Sequence, residues 1–474
     1  MSRKLELNPI YSILLKNHLI VAICLFIDAF LIRFAFLISS DNIFGQAPML
    51  NIMTSLHVLT DQALLNNVYY QQLPFFLYSI AGAVKLGSEQ ILSPRFLVAL
   101  ISSLSLIPYY YLVKKVFNSK IALFSGLLLY SYYMHIIVSI ISMPDAICIG
   151  FLFFCLWMLF IDKYLISAIF CLIACGYSYL GWILVPVLFS SIFLKKHKTL
   201  KQNLFNGILF LSIACLLPLI WTQVIENNYG QAWLWYKNFH NPDSVYTFLF
   251  LAGRSMQGIL SDLFLKPGSI IFCLSFIGVI FAPNKKERYP YIFCITATIL
   301  ILSVHVFRKE ILIVDQGILF IWALLIPYLI FGLFFVLRKL RLNHKVYGLI
   351  IVSIICSVSL VTGFFQRPKI PQSVTEVSWW LQENADANSL IYLQKQDKGY
   401  HSAIVMQSKL PQKNFSFLED NNLQNIAHMD KKQYLILPVS EVEYMDLEQW
   451  ESKDKLKEYL IFMKNKEGSR TQRH

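Results

Sequence analysis

Asp41 ends the first long apolar run of the chain, in Ser39-Ser40-Asp41-Asn42, and Asp145 stands in Met143-Pro144-Asp145 between two further apolar runs. A carboxylate beside lipid is costly, so an acid at such a place calls for a reason. Two reasons are open for Asp145. It can cap the helix that follows Pro144, and it can act as a general base toward an acceptor hydroxyl. Cations accompany these acids. Ser303 to Ile311 reads SVHVFRKEI and holds His305, Arg308 and Lys309, while Lys237, His240 and Arg254 lie near Trp233, Trp235 and Tyr236. The aromatics suit a membrane-interface belt, but the cations do not follow from a belt. They suit an anionic ligand at the membrane surface, such as the phosphate of a lipid carrier, with Arg favoured for bidentate contact. Acids and cations together imply group transfer from a lipid-phosphate donor. One carboxylate would take the acceptor proton while cations stabilise the leaving phosphate.

The elements that must hold these residues are apolar helices. Of 474 residues, 56% are hydrophobic and 15% charged, against roughly 25% charge in a soluble domain. Runs of about 20 apolar residues, enough to span a bilayer, recur up to residue 365, after which the texture becomes mixed. Residues 1–365 carry 26 Lys and Arg against 13 Asp and Glu, while 366–474 carry 15 of each. The whole surplus of +13 therefore lies in the apolar part, which points to positive-inside anchoring and away from nucleic acid. No Lys or Arg occurs between Arg33 and Lys85, so this loop is expected outside the cytoplasm. Basic clusters at Lys114-Lys115, 195–201, Lys285-Lys286 and 338–345 are expected inside.

That parity predicts eleven spans, at 19–38, 95–113, 121–142, 146–161, 164–180, 182–194, 203–225, 268–283, 289–305, 311–337 and 346–365. The 164–194 pair would turn at Gly181-Trp182. Leu73–Leu86, only 14 residues long, is expected as a juxtamembrane helix within an outer loop 39–94, with a second outer loop at 226–267. The N-terminus is then cytoplasmic, and the basic start with its long apolar run reads as an uncleaved signal anchor. Residues 366–474 form a small α/β extracytoplasmic domain, with a helix at 374–384, strands at 389–394 and 433–439, and a charged helix or hairpin at 445–467. The fold class is thus an α-helical polytopic membrane protein with a small C-terminal α/β domain.

Other polar residues have plainer readings. All nine cysteines lie in apolar segments, and Cys171 and Cys175 have no His or acidic companions nearby, so they read as small buried hydrophobes. Asp28 and Arg33, five apart, do not share a helix face, so pairing with other helices fits them. His57 and Asp61 have no third ligand in reach and read as water-facing; no metal site is assigned, and dependence on a divalent metal stays open. No nucleotide-binding loop, Ser–His–Asp set or zinc motif is present.

The stretch from Phe44 to Phe154 resembles the polyprenyl-phosphate-sugar glycosyltransferases of the GT-C fold, in particular the protein O-mannosyltransferase and aminoarabinose transferase relatives. The resemblance is carried by the order of a Pro-aromatic element (Leu73-Pro74-Phe75-Phe76), a Pro94-Arg95 helix start, a Lys115-Val116-Phe117 turn and the acid of Met143-Pro144-Asp145. It implies a membrane glycosyltransferase, inverting, that moves a sugar from a polyprenyl-phosphate donor to a glycan, lipid or protein acceptor at the outer face of the plasma membrane. It implies Asp41 and Asp145 as catalytic acids, and Arg308, Lys309, His305 and Arg95 as contacts to the donor phosphate. Gln46, His57, Tyr70, Lys237 and Arg254 would then meet acceptor or sugar. Two departures stand out. Members often carry an acid where this chain has Gln46, in Gly45-Gln46-Ala47-Pro48, and a lysine where it has Tyr177-Ser178-Tyr179. An amide cannot act as a carboxylate base, so the base is either Asp41 or lost. Two other classes remain open: a non-catalytic assembly protein, and a transporter of lipid-linked sugars or ions. Against the transporter stand the large C-terminal domain and the scarcity of mid-span acids and Gly/Pro breaks.

Overall fold

The computed structural model describes residues 17–39, 52, 55, 73–87, 92–194, 199–230, 267–282, 288–307, 311–365, 372–386, 389–394, 404, 408, 415–418, 433–438, 450–456 and 459–464. The chain forms two compact units, Met1–Asp41 with Thr54–Arg367, and Asn42–Met53 with Pro368–His474.

In the first unit the apolar runs are helical, as they must be where no water can satisfy the backbone. In chain order these are α1 (His18–Ile38), α2 (Pro74–Gly87), α3 (Leu92–Leu104), α4 (Leu106–Val116), α5 (Ser119–Ser131), α6 (Tyr133–Ile140), α7 (Asp145–Phe160), α8 (Tyr164–Tyr177), α9 (Tyr179–Phe193), α10 (Leu200–Ala214), α11 (Leu216–Tyr229), α12 (Pro267–Phe281), α13 (Arg288–Phe307), α14 (Ile311–Lys339) and α15 (His344–Phe365). Each of the eleven apolar segments expected from the sequence is helical. Among the described residues, four helices are by themselves long and apolar enough to cross a bilayer: α1, α3 running into α4, α10 running into α11, and Gly317–Lys339 of α14. The pair α5 and α6, bent by 58°, makes a fifth. Helices α2, α7, α8 and α9, and the parts Arg288–Ser303 and Val346–Thr362, are apolar but shorter. Leu73–Leu86, read as a juxtamembrane helix, is α2, opened by Pro74 at the position where its missing N–H costs nothing.

Helix α7 is apolar on every side and buried along nearly its whole length, from Ala146 to Phe160. A helix of that pattern belongs in the middle of a bundle, and α3, α4, α6, α8 and α9 all pack against it. Two ends of the bundle follow from the contacts between turns. At one end Phe117, just after α4, stacks edge-on against Tyr291 and Tyr328, and Phe160 at the end of α7 meets Tyr291. Arg288 lies 4.7 Å over the Phe117 ring, so this member of a basic cluster is buried by a cation–π contact rather than solvated. At the other end Ser79 of α2 meets Tyr177 at the close of α8 (2.7 Å), and α3 reaches the end of α6 through Arg95.

The turn between α8 and α9 is a correction to the sequence reading. It falls at Ser178 and not at Gly181-Trp182, because the Ser178 hydroxyl caps α9 by accepting from the Leu180 amide (3.2 Å). Gly181 already lies inside α9, its amide donating to the Ser178 carbonyl. Helices α12 and α14 approach more closely than side chains would allow. A Cβ on Gly278 would collide with the Tyr328 carbonyl, and one on Gly332 with the Leu274 carbonyl. Small residues at such crossings let backbones pack without a hydrophobic driving force.

The second unit carries helix α16 (Gln372–Asn384) and a five-stranded sheet: β1 (Leu390–Gln394), β2 (Phe415–Leu418), β3 (Gln433–Pro438), β4 (Trp450–Leu456) and β5 (Tyr459–Lys464), in the order β2-β1-β3-β5-β4. Strand β1 runs parallel to both β2 and β3, and β3 pairs antiparallel with β5. The open choice at 445–467 resolves as the β4–β5 hairpin. Val374, Val377 and Leu381 of α16 are fully buried, as are Ile391, Leu393 and Leu435 of the central strands. Trp380 sets its ring edge-on to Tyr434, whose hydroxyl donates to the Asn384 carbonyl (2.9 Å). β4 is an edge strand rich in charge (Glu451, Lys453, Asp454, Lys455), the composition that keeps an open edge from pairing with other chains.

The α12–α14 crossing yields a direct expectation. Gly278→Ala and Gly332→Ala should each lower the thermal midpoint of the purified protein, by an overpacking cost of about 1–3 kcal/mol. Midpoints equal to wild type in both variants would show that the two backbones are not in contact.

Candidate functional site

Asp145 opens α7, the most enclosed helix, at the end of the bundle where α6 stops. It is 3% exposed. The expected capping role is displaced by one residue. Pro144 occupies the cap position and has no side-chain bond, so Asp145 is the first helical residue. A carboxylate there still faces the positive end of the helix dipole. The turn that delivers it, 141–144, is pinned from the side. Arg95, in the first turn of α3 and 2% exposed, donates its Nε–H to the carbonyl of Ile140, the last residue of α6 (2.9 Å). The Met143 amide closes the turn on the Ile141 carbonyl (2.8 Å). Arg95 and Asp145, both expected at the site, are thus brought to the two sides of one turn.

A second polar pair sits beneath this end. Arg33 of α1 and His135 of α6 are both fully buried, with the Arg33 guanidinium 2.6 Å from His135 Nδ1. Arg33 also donates to the carbonyl of Ala29, one turn back (3.0 Å). The sequence flagged Arg33 as a residue that would pair with another helix, and it does. It gave no reason to single out His135, whose neighbours Tyr133, Met134, Ile136 and Ile137 look like any apolar run; only the fold puts it opposite Arg33. Asp28, by contrast, lies on the exposed side of α1.

Tyr177 holds α2. Its hydroxyl meets Ser79, and its ring stacks on Phe151 (5.6 Å) and meets Phe75 edge-on (6.3 Å). Nearby, Trp182 donates to the Cys175 carbonyl (2.8 Å) and forms one wall of an apolar cleft of about 490 Å³. Ile183, Pro186, Phe189, Leu211 and Pro218 complete it, between α9 and the α10–α11 rod. Its lining suits hydrocarbon.

The remaining expected site residues are not among those described. Asp41, Gln46, His57, Tyr70, Lys237, Arg254, Arg308 and Lys309 lie outside the described residues. His305 is on α13, but its side chain is outside the described part. Among the described residues no group of three or more His, Cys, Asp or Glu side chains is placed to hold a metal ion.

No family model matches this sequence, and no curated protein is significantly similar to it. Solved structures are similar. ArnT from Cupriavidus metallidurans bound to undecaprenyl phosphate superposes with a TM-score of 0.63 at 12% identity, over 93% of this chain and 97% of that one. The oligosaccharyltransferase of Archaeoglobus fulgidus in complex with zinc and sulfate gives 0.54 at 14% identity, over 81% of this chain and 61% of that longer one. The same archaeal enzyme, AglB, with an inhibitory peptide and a dolichol-phosphate gives 0.52 at 12% identity, over 81% and 63%. Identity this low speaks to the fold. With its helical bundle and the small sheet that follows, this integral membrane protein has the polytopic GT-C fold.

Proposed function

We propose that this protein is a membrane glycosyltransferase that moves a sugar from a polyprenyl-phosphate donor to an acceptor at the extracytoplasmic face of the plasma membrane. The observation that carries the reading is Asp145. It is a buried carboxylate at the tip of the central helix, clamped by Arg95 through the Ile140 carbonyl, in a fold shared with one solved structure bound to undecaprenyl phosphate and another in complex with a dolichol-phosphate. The apolar cleft beside Trp182 supports it by offering room for the hydrocarbon of such a carrier.

In the proposed reaction the acceptor oxygen attacks the anomeric carbon on the face opposite the phosphate. The bond from that carbon to the phosphate oxygen breaks, the acceptor proton passes to a carboxylate, and polyprenyl phosphate departs with the electron pair. One displacement inverts the anomeric centre. Asp41 takes the proton in this scheme and Asp145 orients the acceptor; Arg308, Lys309 and His305 stabilise the departing phosphate. Gln46, His57, Tyr70, Lys237 and Arg254 meet the sugar or the acceptor. Arg95 is a positioning residue here, since its Nε is committed to the turn that carries Asp145. The domain of residues 366–474 lies outside the membrane, and the N-terminus lies in the cytoplasm.

Two measurements test this. With the full chain in lipid nanodiscs and radiolabelled polyprenyl-phosphate sugars, release of polyprenyl phosphate should fall by roughly 10²–10⁴-fold in Asp41→Asn and Asp145→Asn. Wild-type turnover in both variants would overturn the assignment of acids, and no turnover by wild type with any donor would overturn the activity. Arg95→Met should lower kcat by about 10²-fold, the cost of misplacing a group by an ångström, and leave the donor KM unchanged. A donor KM raised tenfold with kcat intact would instead place Arg95 on the phosphate.

A further inference from the structure

Among the described residues, Arg33 is a cation with no anion. Its partners there are the Ala29 carbonyl and His135 Nδ1, and its Nε has none. Arginine is donor-only, so His135 Nδ1 must accept, and the imidazole is neutral with its proton on Nε2. That Nε2 also has no partner. The two unmet groups are therefore both N–H donors, and the pair carries one uncompensated positive charge at zero exposure. A buried ion without a counter-charge is strongly unfavourable, and an ionisable residue within an apolar bundle marks function by default.

We propose that Arg33, held by His135, forms an anion site, which takes an oxygen of a phosphate-type oxyanion at the unmet Arg33 Nε–H. The depth of the pair supports phosphate. Each residue lies five positions before its helix ends, at Ile38 and at Ile140, so both sit roughly 7.5 Å of helix rise below the end of the bundle that carries Asp145. The phosphate is either free or borne on a lipid, and only the lipid-borne case rests on the function proposed above. The single negative charge would neutralise the guanidinium, and its oxygen would accept from the unmet Nε–H. An apolar ligand or a cation would do neither.

The test is binding to the full chain in nanodiscs, followed as protection against thermal unfolding by inorganic phosphate and by farnesyl phosphate, and it requires no sugar transfer. In buffer poor in anions, Arg33→Met should melt at or above the wild-type midpoint, since it removes an unpaired charge. With the ligand added the order should reverse, and the apparent affinity of Arg33→Met should be at least tenfold weaker than that of wild type. His135→Phe keeps the charge and removes the acceptor that orients the guanidinium; it should show an intermediate loss and decides the matter if Arg33→Met does not fold. Protection of wild type by both probes assigns a free oxyanion, and by farnesyl phosphate alone a lipid-borne one. Equal protection of wild type and the variants, or none of wild type, overturns the site. A protein that transfers sugar yet binds equally well as Arg33→Met would lose this site and keep its function. One that binds through Arg33 but transfers nothing would lose the function and keep the site.

Discussion

A bilayer supplies no water to a carbonyl or a hydroxyl, so every polar group in the first unit must find its partner within the bundle. The hydroxyl side chains meet this locally. Ser79, Ser103, Ser131, Ser212, Thr222 and Ser303 each bond the carbonyl four residues back in their own helix, which lets a polar residue ride on an apolar rod at little cost. Charges cannot be met this way. Arg33 bonds its own helix once and then needs another helix, Arg95 reaches across to α6, and Arg288 lies over the Phe117 ring. These three cations tie together elements far apart in the chain, and two of them, Arg33 and Arg95, both bond α6.

The bundle therefore has two chemically different ends. One is held by aromatic rings, with Phe117 edge-on to Tyr291 and Tyr328, Phe160 edge-on to Tyr291, and Tyr291 tilted against Tyr328. The other is held by hydrogen bonds from Arg95, Ser79 and Tyr177, and it receives the start of α7 with Asp145. Setting a carboxylate on the most enclosed helix fixes its backbone through contact on all sides. That rigidity is what a base or an orienting group needs, because small displacements are expensive in rate. The Arg33–His135 pair about one and a half turns beneath gives the same end a positive interior.

Much of this was legible in the chain. Apolar runs of about 20 residues pointed to helices, which satisfy their backbone within one segment, and the change of texture after residue 365 announced a mixed domain. The 14-residue Leu73–Leu86 was too short to span, and it forms α2. Strands β1 and β3 stood out as continuous apolar runs, the mark of a strand buried on both faces. Strand β2 did not, because Phe415–Leu418 is four residues long and acquires its identity only by pairing with β1. The turn at Ser178 was misplaced because glycine is the stronger punctuation in a sequence, whereas a serine cap depends on a hydrogen bond that composition does not reveal.

Sequence alone singled out residues that fit their apolar surroundings badly: Asp145 between two apolar runs and Arg33 inside one. Solvent preference is a property of each residue and its few neighbours, so it can be read along the chain. Tertiary structure alone decided which of these meet. His135 is 102 positions from Arg33 and Ile140 is 45 from Arg95, and neither contact has any local signature. Packing around α7 brought them together, and with them came a buried guanidinium that still has an unmet donor.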